Sequence, residues 1–202
     1  TLRLLTVAFG MYGSNSKNYG DGFTTMYGAN HEDIAYSYRT GNHGDGSWYS
    51  INGNIDYQRT SRKNKQRMIT FSYKINTQPQ TSNSNTGYED IHAKEEVDDL
   101  VKRLLLKNSQ SDGKTNTMEQ TFQVDYTTPI GELHTVEAGA KYIFRRNTSD
   151  NKLYEAAGGS DDYLYNEDRS SDYRHLNHIL AAYLGYTLKY KDFTFKPGVR
   201  YE

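Results

Sequence analysis

The stretch that decides the fold is "SWYSINGNIDYQRT", residues 47–60. From Tyr49 to Tyr57 every second residue is apolar, aromatic or glycine, and the residues between them are Ser, Asn or Asp. Because successive side chains of a strand point to opposite faces, this pattern predicts a strand with one apolar and one hydrophilic face. A soluble sheet shows the same alternation, so the stretch alone leaves open whether the apolar face contacts protein or lipid.

The same alternation recurs along the chain. With 47–60 it predicts six strands, the others being at 66–76, 120–127, 134–146, 175–190 and 193–202. It also predicts a seventh strand at 33–40 and two weaker candidates at 1–12 and 23–29. Glycine, Asn, Ser and Thr are frequent and Pro is rare, which suits strands joined by turns. The prediction is an all-β chain of about nine strands.

The composition excludes several classes of protein. Mean hydropathy is −0.92, but 13% of the residues are aromatic, which is unlike a disordered chain. A net charge of −1 gives no electrostatic case for nucleic acid. The absence of cysteine excludes disulfides and thiolate metal sites. No apolar run approaches the roughly 20 residues of a membrane-spanning helix.

The predicted connections alternate in length. Those at 60–66, 128–133 and 191–192 are short, whereas those at 77–117 and 147–172 are long. Upstream, 14–22 and 41–46 are interpreted as medium-length loops and 30–33 as a short turn. Outer-membrane barrels sort their connections in this way, with short turns in the periplasm and long loops outside. The sequence therefore predicts part of an antiparallel, up-and-down transmembrane β-barrel in the outer membrane of a Gram-negative bacterium.

The alternation assigns side chains to two surfaces. The residues predicted to face lipid, with tyrosines near the membrane interfaces, are Tyr49, Ile51, Ile55, Tyr57, Ile69, Phe71, Tyr73, Phe122, Val124, Tyr126, Val136, Tyr142, Phe144, Leu184, Tyr186, Leu188, Phe193, Phe195, Val199 and Tyr201. The residues predicted to face a wet lumen are Asn52, Asn54, Asp56, Gln58, Lys74, Gln123, Asp125, Glu137, Lys141, Lys196 and Arg200. The alternative is a soluble or surface-anchored β-sandwich that binds glycan, in which apolar faces pack in pairs.

Two segments carry a family resemblance. "QTFQVDYTTPIGELHTVEAGAKYIFRRNTSDN" and "HILAAYLGYTLKYKDFTFKPGVRYE", at 120–151 and 178–202, resemble the barrel of TonB-dependent outer-membrane receptors of the outer membrane protein beta-barrel type. The resemblance implies that residues 1–202 are part of one barrel domain, with a plug domain and further strands outside this chain. It also implies import of a nutrient such as a glycan, peptide or siderophore. The implied partners are outer-membrane lipid, a TonB complex acting through the plug, and a surface lipoprotein.

The sequence offers little catalytic or metal chemistry. It has no defensible Ser-His-Asp or paired-carboxylate arrangement, so we expect no enzyme activity and no catalytic or cofactor-binding residue. The acidic segment 161–172 could hold calcium, but it lacks the spacing of a calcium loop, and a solvated acidic loop fits better. Its carboxylates are Asp161, Asp162, Glu167, Asp168 and Asp172. Residues 88–107 have a helix-like apolar stripe that includes Ile91, Val101, Leu104 and Leu105.

Overall fold

The computed structural model describes residues 2–29, 32–95, 97–102 and 106–202. These residues form one nine-stranded antiparallel sheet, which confirms the predicted all-β, up-and-down architecture. Among them, no helix is long and apolar enough to span a membrane. The strands are β1 Arg3–Tyr27, β2 Ile34–Thr60, β3 Met68–Ala93, β4 Lys107–Ile130, β5 His134–Ala157, β6 Leu164–Tyr165, β7 Ser171–Tyr190, β8 Phe193–Phe195 and β9 Gly198–Tyr201.

Neighbours in the sheet follow chain order. Each long strand pairs with the next, and the sheet is open, with β1 at one edge and β8 and β9 at the other. β8 and β9 pair with β7 in one continuous register, interrupted at Lys196 and Pro197. Proline has no N–H to donate to the ladder, so this break in the edge strand has a local cause. The short β6 pairs only with the end of β5.

The first two strands are much longer than the sequence predicts. Segments 14–22 and 41–46, interpreted as loops, lie inside β1 and β2 and pair with each other. The predictions at 1–12 and 23–29 are therefore one strand, and those at 33–40 and 47–60 are another. Glycine and asparagine favour turns, but the ladder satisfies the backbone of both segments at once, and this pairing overrides local preference.

The long connections lie where the sequence predicts them but are shorter than predicted. β3 continues to Ala93 and β4 begins at Lys107, so most of 77–117 is a strand pair. Likewise β5 continues to Ala157 and β7 begins at Ser171. The helix-like stripe at 88–107 is not a long helix, because its first part belongs to β3 and α1 spans only Asp98–Leu100. Leu104 and Leu105 lie outside the described residues.

The connections fall at two ends of the sheet. The turn end carries 61–67, 131–133 and 191–192, and the loop end carries the connection between β1 and β2, the connection between β3 and β4, and 158–170. The predicted alternation of short and long connections therefore holds from β2 onward. The assignment of 30–33 to the short-turn end was wrong, because β1 and β2 are single strands and their connection lies at the loop end.

The register sorts the side chains onto two faces. Directly paired residues share a face in an antiparallel sheet. The apolar face carries every residue that the sequence predicts to face lipid, and the polar face carries those predicted to face a lumen. Apolar residues on the polar face include Leu4, Trp48, Met68, Ile143 and Ile179. The two faces thus follow from alternation continued in register through all the long strands.

The apolar face is apolar only near the turn end. One row across it reads Val7, Ile55, Tyr73, Phe122, Tyr142 and Leu180. A second row, ten residues nearer the loop end and so about 34 Å away, reads Lys17, Asp45, Asn83, Asp112 and Lys152. We call the first region the apolar band, which comprises 5–11, 51–57, 69–75, 118–126, 136–144 and 176–188 on this face.

A buried core is nearly lacking among the described residues. The buried apolar side chains are Val101, Leu106, Ala156 and Ala181, and three of these lie at the loop end. The large side chains of the apolar band are exposed or half-buried instead, with Leu180 exposed at 69% and Val7 at 65%. A soluble monomer rarely exposes a continuous apolar surface of this kind.

Candidate functional site on the polar face and at the loop end

A groove of about 440 Å³ lies on the polar face above the middle strands. It brings together five of the predicted lumen-facing residues, which are Asn52, Asn54, Lys74, Gln123 and Lys141. The others lie outside the groove, and these are Asp56, Gln58, Asp125, Glu137, Lys196 and Arg200. Two ammonium groups beside several amides can hydrogen-bond to and charge-pair with a polar or anionic solute.

An ion pair that the sequence analysis missed borders this groove. Arg145 donates from Nε and Nη2 to Glu119 Oε2, at 2.9 and 2.6 Å. The register places the two residues directly opposite each other on β4 and β5. Glu119 was missed because the predicted strand began one residue later, at Gln120. An earlier strand start would have placed a carboxylate opposite the arginine.

A second polar contact crosses three strands. The Tyr183 hydroxyl donates to Asp125 Oδ1 at 2.5 Å, and Gln123 Nε2 donates to the same carboxylate. Gly139 lies between Tyr183 and Asp125 in the register, and a Cβ there would collide with the tyrosine ring. Glycine at 139 is therefore what lets the ring lie across β5. Nearer the β9 edge, Lys196 Nζ pairs with Glu137 Oε2 at 3.0 Å.

Glu155 organises the connection at 158–170. Its largely buried carboxylate accepts from Asn166 Nδ2 and Arg169 Nη1, both at 2.6 Å, with Lys107 Nζ at 3.8 Å. Glu155, Asn166 and Lys107 border a cavity of about 540 Å³ beside β6. The hydrogen bond from Asn166, with the charges of Lys107 and Arg169, holds the pKa of Glu155 below its ordinary value of 4.5. The segment that the sequence presented as a solvated acidic loop is thus tied to the sheet.

We expect this connection to loosen in acid. A carboxylate with a lowered pKa stabilises the folded state above the ordinary pKa, and that contribution disappears as the pH falls through the folded value. Hydrogen exchange of 158–170 should therefore accelerate below about pH 4.5, beyond the intrinsic effect of pH. In Glu155→Gln this additional acceleration should be absent. The same acid dependence in both proteins would contradict the assigned role of Glu155.

Asn108 joins three elements at the loop end. It is 6% exposed; its Oδ1 accepts from Tyr88 N at 2.7 Å, and its Nδ2 donates to Ser160 O at 3.0 Å. Gly159 N also donates to Tyr88 O. The ends of β3 and β4 and the connection at 158–170 are therefore held as one surface. Sequence reasoning missed this role because Asn108 lay within a predicted loop.

The metal predictions stay open. Within 2–29, 32–95, 97–102 and 106–202, no three His, Cys, Asp or Glu side chains come together in a group suited to a metal ion. Asp162, Glu167 and Asp168 line the loop-end cavity, whereas Asp161 and Asp172 do not. Calcium in 161–172 therefore remains a prediction from the sequence.

Comparison with known proteins identifies the family to which this sheet belongs. The model of the outer membrane protein beta-barrel family matches residues 60–202, which is well over half of the chain. The chain belongs to the outer membrane protein beta-barrel family. This confirms the family resemblance and indicates an outer-membrane location. No curated protein sequence matches the chain significantly.

A solved structure, the ferric citrate transporter FecA in the unliganded form, is 12% identical over 98% of the chain, with a TM-score of 0.29. The chain spans 37% of the length of that structure. Family membership and the observed sheet together overturn the β-sandwich alternative. The described residues form a single sheet, and no second sheet covers its apolar face.

Proposed function

We propose that this chain forms part of the β-barrel wall of a TonB-dependent receptor in the outer membrane of a Gram-negative bacterium. Membership of the outer membrane protein beta-barrel family supports a barrel, and the residues at 120–151 and 178–202 support the receptor type. The apolar band meets lipid, the polar face lines the lumen, and the turn end lies in the periplasm. The loop end then projects outside the cell.

The observation that carries this proposal is the change from apolar to polar side chains along the apolar face, from the turn end to the loop end. The row through Val7 and Leu180 is apolar and exposed, whereas the row through Lys17 and Lys152 is polar. The polar face shows no such change. A membrane accounts for it, because the band covers 7 to 13 residues of each long strand, a range that includes the roughly 9–11 residues needed to span a bilayer. The remaining length of the 24–27-residue strands β1 to β5 stands above it.

The transported ligand is a polar nutrient such as a glycan, a peptide or a siderophore. The anchored loop end captures it, a surface lipoprotein assists, and the lumen-facing groove with Lys74 and Lys141 lies on its route. Energy reaches the receptor from a TonB complex through a plug domain that is not within this chain. No bond of the ligand is broken, and nucleic acid is not a partner.

The test is uptake by cells that express the full-length protein, with and without functional TonB. Radiolabelled oligosaccharides, peptides and ferric siderophores serve as the probes. Uptake of one class should require both proteins, and Lys74→Gln with Lys141→Gln should reduce it about tenfold. The charge-matched control, Lys114→Gln with Lys152→Gln, should retain uptake, since both lysines lie on the opposite face. Protein-dependent uptake that persists without TonB would contradict the proposal.

A further inference from the structure

Basic side chains gather where the apolar band meets the turn end. Arg3 on β1, Arg59 on β2 and Arg67 in the following turn lie on the apolar face and are exposed. Together with Arg62 and Lys63 they line a cavity of about 540 Å³. The cavity is thus cationic and opens on the face that carries the apolar band.

Two of these arginines face each other without compensation. Arg3 and Arg59 are direct partners in the register, and like charges directly opposite on a sheet are destabilising. Of the ion pairs between described residues, none includes Arg3, Arg59 or Arg67. Arg67 Nε donates to Thr128 Oγ1 at 3.0 Å, so its remaining donors stay available. An anion between these side chains would relieve the repulsion.

The cationic cavity adjoins an apolar groove. Ile69 and Tyr126 line the cavity, and the next residues on the same face, Phe71 and Val124, line a groove of about 490 Å³. Two residues along a strand cover about 7 Å, so the groove begins directly beside the cationic cavity. The groove continues along the band past Tyr142 to Leu180. A free phosphate would use only the cavity, whereas an anionic lipid would use both.

We propose that this surface binds an anionic glycerophospholipid, with its phosphate between Arg3, Arg59 and Arg67 and one acyl chain along the groove. The inference rests on the proposed function, which turns the apolar band to lipid and the turn end to the periplasm. Guanidinium groups bind phosphate oxygens through paired charge-assisted hydrogen bonds. Basic clusters beside a membrane-spanning region bind anionic headgroups by the same attraction. The occupant therefore belongs to the inner, periplasmic leaflet.

The experiment measures lipid retention by the full-length protein in nanodiscs of phosphatidylcholine with added phosphatidylglycerol, using native mass spectrometry. The wild type should retain phosphatidylglycerol about tenfold over phosphatidylcholine, and Arg3→Gln with Arg59→Gln should abolish that preference. Arg59→Lys, which keeps the charge, should preserve most of it. Lys17→Gln with Lys114→Gln removes two charges from the same face far from the cavity, and should retain the preference.

Thermal unfolding keeps the test informative if lipids are lost during ionisation. In phosphatidylcholine alone the double arginine variant should unfold at the wild-type temperature or higher, because a repulsion has been removed. Adding phosphatidylglycerol should raise the unfolding temperature of the wild type and leave the variant unchanged. Equal shifts in both proteins, full competition by inorganic phosphate, or stronger retention of lipid A than of phosphatidylglycerol would overturn the inference.

A separate label distinguishes failure of the inference from failure of the proposed function. A fluorophore on Phe71→Cys should be quenched by brominated acyl chains if the apolar band faces lipid. Quenching without a preference for phosphatidylglycerol would overturn the inference alone. Absence of quenching would overturn both the inference and the lipid-facing assignment on which it rests.

Discussion

Leu180→Arg is expected to lower the free energy of unfolding of the membrane-inserted protein by about 2–4 kcal/mol. Leu180 is 69% exposed on the apolar face, so few protein contacts are lost and an aqueous surface would tolerate arginine there. A large cost arises only if the surrounding solvent is hydrocarbon, because the guanidinium must then be desolvated or draw water into the bilayer. Equilibrium urea titration of the protein folded into lipid vesicles measures this cost.

The matched control is Asn76→Arg. Asn76 is exposed on the polar face, where the register places it opposite Glu119. An arginine there reaches water and a carboxylate, so its cost should stay within about 0.5 kcal/mol of zero. Equal costs for Leu180→Arg and Asn76→Arg would contradict the assignment of the two faces to lipid and lumen.

The second large effect concerns sidedness, and it is close to all-or-none. Cysteines introduced at Ala29 and Ser160, in connections at the loop end, should react on intact cells with a membrane-impermeant maleimide. Cysteines at Ser61 and Asp192, at the turn end, should react only after the outer membrane is permeabilised. This chain contains no cysteine of its own to contribute background.

Ala29 is the position that best distinguishes the observed long strands from the shorter strands predicted from the sequence. If 14–22 and 41–46 were loops, the chain would cross the membrane twice more before residue 47, and Ala29 would lie in the periplasm. With β1 and β2 as single strands, Ala29 lies outside. Labelling of Ser160 but not of Ala29 on intact cells would contradict the long-strand register, and labelling of all four would contradict the membrane assignment.

The hydrophilic residues of the lumen assignment could be grouped from sequence, but their contacts could not. Alternation is a property of consecutive residues, so it separates Asn54 from Ile55 without knowledge of any partner strand. The groove that joins Asn54, Lys74 and Lys141 depends on three registers. The pairing of Glu119 with Arg145 depends on where β4 begins.

The loop end was the least predictable part for a related reason. Glu155 and Asn108 lay inside predicted loops, yet one binds Asn166 and Arg169 and the other joins Tyr88 to Ser160. Polar strands outside a membrane need no apolar stripe, and so they lose the pattern by which strands are recognised. What holds them is backbone pairing with an equally polar neighbour, as between 14–22 and 40–48.

By itself the sequence determined the all-β class, the two faces and the short connections at the turn end, because the alternation of apolar and polar residues is local. Only the tertiary structure decided the length of the strands, the end of the sheet at which β1 connects to β2, and the convergence of Arg3, Arg59 and Arg67 beside the apolar band. Those features depend on which strands pair and in what register. The register is set by interactions between residues that are distant in the chain, so no local pattern contains that information.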